Sequence, residues 1–144
     1  AWDVVADKIF YSSPTGAMTT IGDTTLDGAT FITGGATQVT EANLGSTSGS
    51  GWIPVNLNAL ASGSPVSNFP IDPTNSIAEV NNVANTDLVY RYACHLDNLT
   101  YEINARLESS ELNQKMASDG GNNGNMYEVG TKLDILGDGS VSEF

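Results

Sequence analysis

Leu88-Val89-Tyr90-Arg91-Tyr92-Ala93-Cys94-His95-Leu96, then Asp97-Asn98, then Leu99-Thr100-Tyr101-Glu102-Ile103-Asn104-Ala105-Arg106-Leu107, carries the clearest structural signal in the chain. Two runs rich in aromatic and β-branched residues suit a pleated strand, and the Asp-Asn pair between them tolerates the backbone angles of a tight turn. The stretch therefore reads as a β-hairpin. On its second strand Tyr101, Ile103, Ala105 and Leu107 alternate with Thr100, Glu102, Asn104 and Arg106. A period of two sends the sets to opposite faces, so the apolar set is expected against the core and the polar set toward water.

Downstream of the hairpin, Glu111 to Ala117, with Ser109-Ser110 before it as caps, is expected to form two helical turns that stop at Asp119-Gly120-Gly121. Met126 to Thr131 reads as a last strand, and Asp134 to Phe144 as a Gly- and acid-rich tail. Upstream, Asn56 to Leu60 reads as a short helical turn, and the prolines from Pro65 to Pro73 forbid a regular helix there. Gly45-Ser46-Thr47-Ser48-Gly49-Ser50-Gly51 reads as a flexible loop. Ala17 to Ile21, Leu26 to Thr33 around Asp27-Gly28, and Ala36 to Thr40 read as small strands and hairpins.

At the start of the chain Trp2, Val5, Ile9 and Phe10 fall at i, i+3, i+7 and i+8, the spacing of one helical face, before Ser12-Ser13-Pro14 ends it. No N-cap precedes this face, so the expected helix is the stub of a longer one. One domain is expected over residues 1–144: helix over 1–13, loops with short strands over 14–50, sheet over 51–133 and acidic tail over 134–144.

Composition narrows the function. Five Lys plus Arg stand against 17 Asp plus Glu, a formal charge of -12, and such a field repels phosphate backbones and anionic membranes. Nucleic acid is thus not an expected partner. Gly, Ser, Thr and Asn number 15, 14, 14 and 14, together 57 of 144 residues, which makes the surface rich in hydroxyls and amides. From Ile9 through Tyr90 there is no Lys or Arg, so trypsin-like proteases find no site there, as suits a protein outside the cell. A single Cys, Cys94, excludes an internal disulfide and a cysteine zinc cluster. No apolar run approaches the roughly 18 residues of a membrane span, and no signal peptide is legible.

No catalytic constellation stands out. The sole His, His95, follows Cys94 directly, so on one strand the two point to opposite faces and cannot form a thiolate–imidazole pair. Cys94 reads as a small buried residue and His95 as a surface one. There is no P-loop, dinucleotide fingerprint or HExxH, and nothing in the spacing of the acids singles out a hydrolytic pair. Ser118-Asp119-Gly120-Gly121-Asn122-Asn123-Gly124-Asn125 offers enough oxygens to wrap Ca²⁺, but equally suits a plain Asn/Gly turn. Asn98-Leu99-Thr100 is a glycosylation sequon.

Six pieces in order, Gly51-Trp52-Ile53-Pro54-Val55, Gly63-Ser64-Pro65, Phe69-Pro70-Ile71-Asp72-Pro73-Thr74-Asn75, Tyr90-Arg91-Tyr92-Ala93-Cys94, Tyr101 to Ser109, and Asp119-Gly120-Gly121-Asn122-Asn123 leading to Tyr127-Glu128-Val129-Gly130-Thr131, resemble the globular half of bacterial type IV pilins and type II secretion pseudopilins. The resemblance covers about residues 51 to 133. It implies an α+β, pilin-like fold, the end of a long helix packed on a small antiparallel sheet with extended loops. It also implies a structural, non-catalytic subunit of an extracellular filament or pseudopilus at the bacterial surface. Partners would be other pilin subunits, or a separate small helical chain, with membrane contact only through an N-terminal helix not contained here. Trp2, Val5, Ile9 and Phe10 would pack that helix. Calcium is the implied cofactor, mapped to Asp119, Asn122 and Asn123. The alternative is a monomeric β-rich adhesin or glycan-binding module, which would show Trp52, Tyr90 or Tyr92 exposed in a groove.

Overall fold

The computed structural model describes residues 9–12, 24–26, 29–31, 41–76, 86–95 and 99–136. Its strands are β1 (Ile9–Tyr11), β2 (Thr24–Leu26), β3 (Ala29–Phe31), β4 (Arg91–His95), β5 (Thr100–Ala105) and β6 (Tyr127–Gly130). β1, β4, β5 and β6 form one antiparallel sheet in that order, and β2 pairs with β3 in a separate hairpin. Among the described residues, helix is confined to 3-10 turns at Glu41–Asn43 and Leu57–Ala59 and one α-turn, α1 (Asn113–Met116). The described residues are thus β-rich with a minor helical part.

The central hairpin forms as its alternation requires, β4 against β5 with Tyr92 opposite Ile103 and Arg91 opposite Asn104. Beyond it, Ile103 faces Val129 and Asn104 faces Glu128 on β6. One face therefore carries Tyr92, Cys94, Tyr101, Ile103 and Val129. The other carries Arg91, Ala93, Glu102, Asn104 and Glu128.

Two expectations about the sheet are overturned. Ile9 and Phe10 are not helical: β1 runs antiparallel to β4, with Ile9 opposite Ala93 and Phe10 opposite Tyr92. A helix of this length is marginal in water, whereas Ile-Phe-Tyr has high strand propensity and β4 offers an unpaired edge to complete. Trp2 and Val5 lie outside the described residues. The second correction concerns burial. Glu102 and Asn104, expected in water, are completely buried, while Tyr101 of the supposed core face is 40% exposed. The segments after β5 fold back over the polar face and bury Met126, Ile135 and Leu136 there. They also bring backbone N–H groups that the carboxylates need once removed from water.

On the apolar face Leu44, Trp52, Ile53, Tyr92 and Cys94 form the buried cluster, with Val55, Phe69, Tyr90 and Ile103 packed against it. The Gly/Ser loop that delivers Trp52 is folded rather than flexible. Trp52 N–H donates to Leu44 O at 2.9 Å and Leu57 N–H to Thr47 O at 2.8 Å. The hydroxyls of Ser46, Ser48 and Ser50 bond to one another across the exposed side. Gly51 is obligatory, since a Cβ there would sit 2.1 Å from the Ser46 carbonyl oxygen. The expected two-turn helix shrinks to α1, whose N-cap position, Leu112, offers no side-chain acceptor. Ser109 Oγ instead accepts from Glu111 N–H in a local turn.

Candidate functional site

β5 and β6 each contain the same short pattern, Tyr101-Glu102-Ile103 and Tyr127-Glu128-Val129. The ladder places Glu128 opposite Asn104, and Glu102 opposite Gly130, which has no side chain to fill the space. Both glutamates are therefore on the covered face, diagonal to one another. Glu102 Oε2 accepts from Ile135 N–H at 2.8 Å and Leu136 N–H at 2.9 Å. Glu128 Oε2 accepts from Asn123 N–H at 2.9 Å. Oε1 of each carboxylate and both amide atoms of Asn104 are buried and have no hydrogen-bond partner among the described residues.

Burial pushes both glutamates upward. The Glu128 carboxyl is raised to about 8, first by removal from water and then by Glu102 and Asp119 nearby. Glu102 is also raised by burial, against which its backbone bonds to Leu136 and Ile135 work. On the opposite face, burial followed by the neighbouring Cys94 thiol raises the Tyr92 hydroxyl. These acids escape a reading by alternation alone. The repeated Tyr-Glu-Ile and Tyr-Glu-Val pattern is the signal that marks them.

The segment read for calcium is a turn. Asp119 Oδ1 accepts from Gly121 N–H at 3.0 Å and Oδ2 from Glu128 N–H at 2.8 Å. Asn123 is buried, and its Oδ1 accepts from Asn125 N–H at 3.0 Å. Asn122 is exposed and contributes its backbone N–H to Leu133 O. The acceptors of Asp119 and Asn123 thus serve backbone donors, the arrangement of the Asn/Gly turn. Among the described residues no three His, Cys, Asp or Glu side chains group so as to hold a metal ion.

The apolar face is incompletely covered. A cleft of about 480 Å³ is lined by Ile53, Val55, Phe69, Tyr92, Tyr101 and Ile103. A second, of about 530 Å³, shares Ile53, Phe69 and Ile103 and continues past Tyr127 and Val129. Val129 is 43% exposed and Leu99, at the hairpin end, 71%. Cys94 is buried, as its place on the strand suggested. Of the residues expected to pack a helix, Ile9 and Phe10 stand on the sheet edge instead. No helix among the described residues is long and apolar enough to cross a membrane. Comparison with protein-family models, with curated proteins and with solved structures finds no match.

Proposed function

We propose that the chain is a non-catalytic structural subunit of an extracellular filament of the type IV pilus or pseudopilus kind, and that its apolar sheet face receives an apolar helix. The observation that carries this reading is the pair of clefts that meet at Ile53, Phe69 and Ile103. On a surface this polar and this acidic, a contiguous apolar tract points to an apolar partner. The six sequence pieces that resemble pilins support the same reading. Because Ile9–Tyr11 is a strand, the helix must lie elsewhere than through Ile9 and Phe10, either on the N-terminal side or on another chain. The cleft supplies the shape, and helices bundled between subunits supply the apolar area that overrides repulsion between acidic domains.

The adhesin alternative is less well supported. Trp52 is 1% exposed and Tyr92 is buried, so neither ring offers a face to a sugar. Trp52 and Tyr90 both line the second cleft, and of the three rings Tyr90 alone is partly exposed.

Electron microscopy tests the proposal. An apolar helix supplied by fusion before Ala1, or as a separate chain, is expected to give filaments, and Val129→Arg in the same fusion to abolish them. Regular filaments from the 144-residue chain alone, or filaments indifferent to Val129→Arg, would place the interface elsewhere and overturn it.

A further inference from the structure

Ile53 and Phe69, from the segment 41–76, line both apolar clefts, and Ile103 of β5 completes the part they share. Between Ile9 and Tyr90 the chain has no Lys or Arg, so the only charged residues of the segment 41–76 are the acids Glu41 and Asp72. Asp72 lines the second cleft, its Oδ1 fixed by Thr74 N–H at 2.9 Å and Asn75 N–H at 3.1 Å. Glu108, exposed beyond the end of β5, lines the same cleft. The cation beside them is Arg106, whose Nη1 donates to the Asn125 carbonyl at 3.0 Å. Of the other described cations, Arg91 is buried on the opposite face, Lys115 lines a different cleft, and Lys132 pairs with Asp134 at 3.4 Å.

We propose, building on the filament reading, that the helix seated on the apolar sheet face is basic-bordered: its apolar stripe lies along the two clefts, and Lys or Arg residues flank that stripe toward Asp72 and Glu108. The cleft walls carry more negative than positive charge, and the whole chain carries -12. Such a field favours a cationic occupant and disfavours a second copy of the same chain.

The apolar part of the seat is marked by Leu99. It lines the first cleft, is 71% exposed and has a φ of 51°. That left-handed region is sterically disfavoured for leucine and usual for Gly or Asn. A large apolar side chain kept in water at such a backbone angle supplies contact to an occupant rather than to the fold. Val129, also exposed, does the same in the second cleft. A helix meets both requirements together, because apolar side chains recur along one stripe while Lys stems lie on apolar surface and carry their ammonium groups to its border.

Two synthetic helices with one Leu/Ala stripe, bordered by Lys in one and by Glu in the other, test this by fluorescence anisotropy against the purified chain. The Lys helix is expected to bind about tenfold or more tightly at ~0.01 M salt, where charges act over about 30 Å, and the gap to close at ~1 M, where they act over about 3 Å. Glu108→Gln should weaken the Lys helix by about two- to fivefold and leave the Glu helix unchanged. Asp134→Asn, the same loss of charge from the segment over the opposite face, should change neither. Leu99→Gly should weaken both helices alike. Equal affinity of the two helices, or equal losses in Glu108→Gln and Asp134→Asn, would overturn the basic border and leave the helix seat standing on the binding itself. Neither helix binding, binding that survives Leu99→Gly and Val129→Arg, or a dimer of the chain that excludes both helices would overturn the helix seat and the border with it.

Discussion

The Trp52 indole N–H donates to the Pro70 carbonyl at 2.8 Å, joining segments 18 residues apart in sequence. That bond locks the proline-rich connection over the apolar cluster and completes the only polar requirement of a fully buried ring. Trp52→Ala is expected to cost ~3–5 kcal/mol by cavity formation. Trp52→Phe keeps most of the packing but strands the Pro70 carbonyl, at ~1–3 kcal/mol. Urea unfolding of both variants checks the order, which a dominant hydrogen bond would compress to nothing.

Gly121 and Gly124 lie in the same turn but differ in their surroundings. A Cβ at Gly121 meets the Glu128 carboxylate at 2.0 Å, whereas one at Gly124 meets nothing within 4 Å. Gly121→Ala should therefore destabilise by ~1–3 kcal/mol, the usual cost of overpacking, and Gly124→Ala by far less. Equal melting temperatures for the two variants would show that the turn yields without disturbing the carboxyl pair.

Sequence pattern located the β4–β5 pair, the last strand and the β2–β3 pair because a local run of strand-forming residues suffices for each. It misplaced Ile9 and Phe10 since three or four apolar residues fit a helical stripe and a strand equally well. The unpaired edge of β4, 80 residues further on, decides between them, and no local rule sees it. Glu102 and Asn104 were misread for a related reason. Alternation separates two faces of a strand but does not say which face is covered. That depended on Ile135, Leu136 and Asn123 bringing donors from a later segment. The calcium segment was legible as either cage or turn, and the Glu128 N–H, as a bonding partner for Asp119, favours the turn.

Ser12 links three parts of the fold at the end of β1. Its hydroxyl accepts from Tyr90 N–H at 2.8 Å and donates to Asn75 Oδ1 at 3.1 Å, and its own N–H donates to Tyr90 O at 3.0 Å. The residue is completely buried, so Ser12→Ala leaves the Tyr90 N–H without its acceptor, at ~1–3 kcal/mol. Faster hydrogen exchange at Tyr90, with the β5–β6 amides unchanged, is the expected local sign. Uniform loss of protection across the sheet would mean that β1 is integral to global stability.

Asp119 separates a scaffolding role from a cation-binding one. It takes the Glu128 N–H, a donor that points away from β5 at the outer edge of β6, and so blunts an edge that would otherwise invite another strand. Asp119→Ala removes two carboxylate bonds, from Gly121 and Glu128, and should destabilise by ~1.5–3 kcal/mol or more with or without calcium. A cation bound only to the folded state at a hundredfold excess over its Kd would add ~2.7 kcal/mol. For a domain of this size that corresponds to a rise of about 5–10 °C in Tm, too large to miss. Wild-type melts in millimolar calcium and in EDTA are expected to coincide, with Asp119→Ala lower in both and more prone to aggregate through the freed edge. A chelator-sensitive wild type beside a chelator-insensitive Asp119→Ala would instead show that the turn exists to hold a cation.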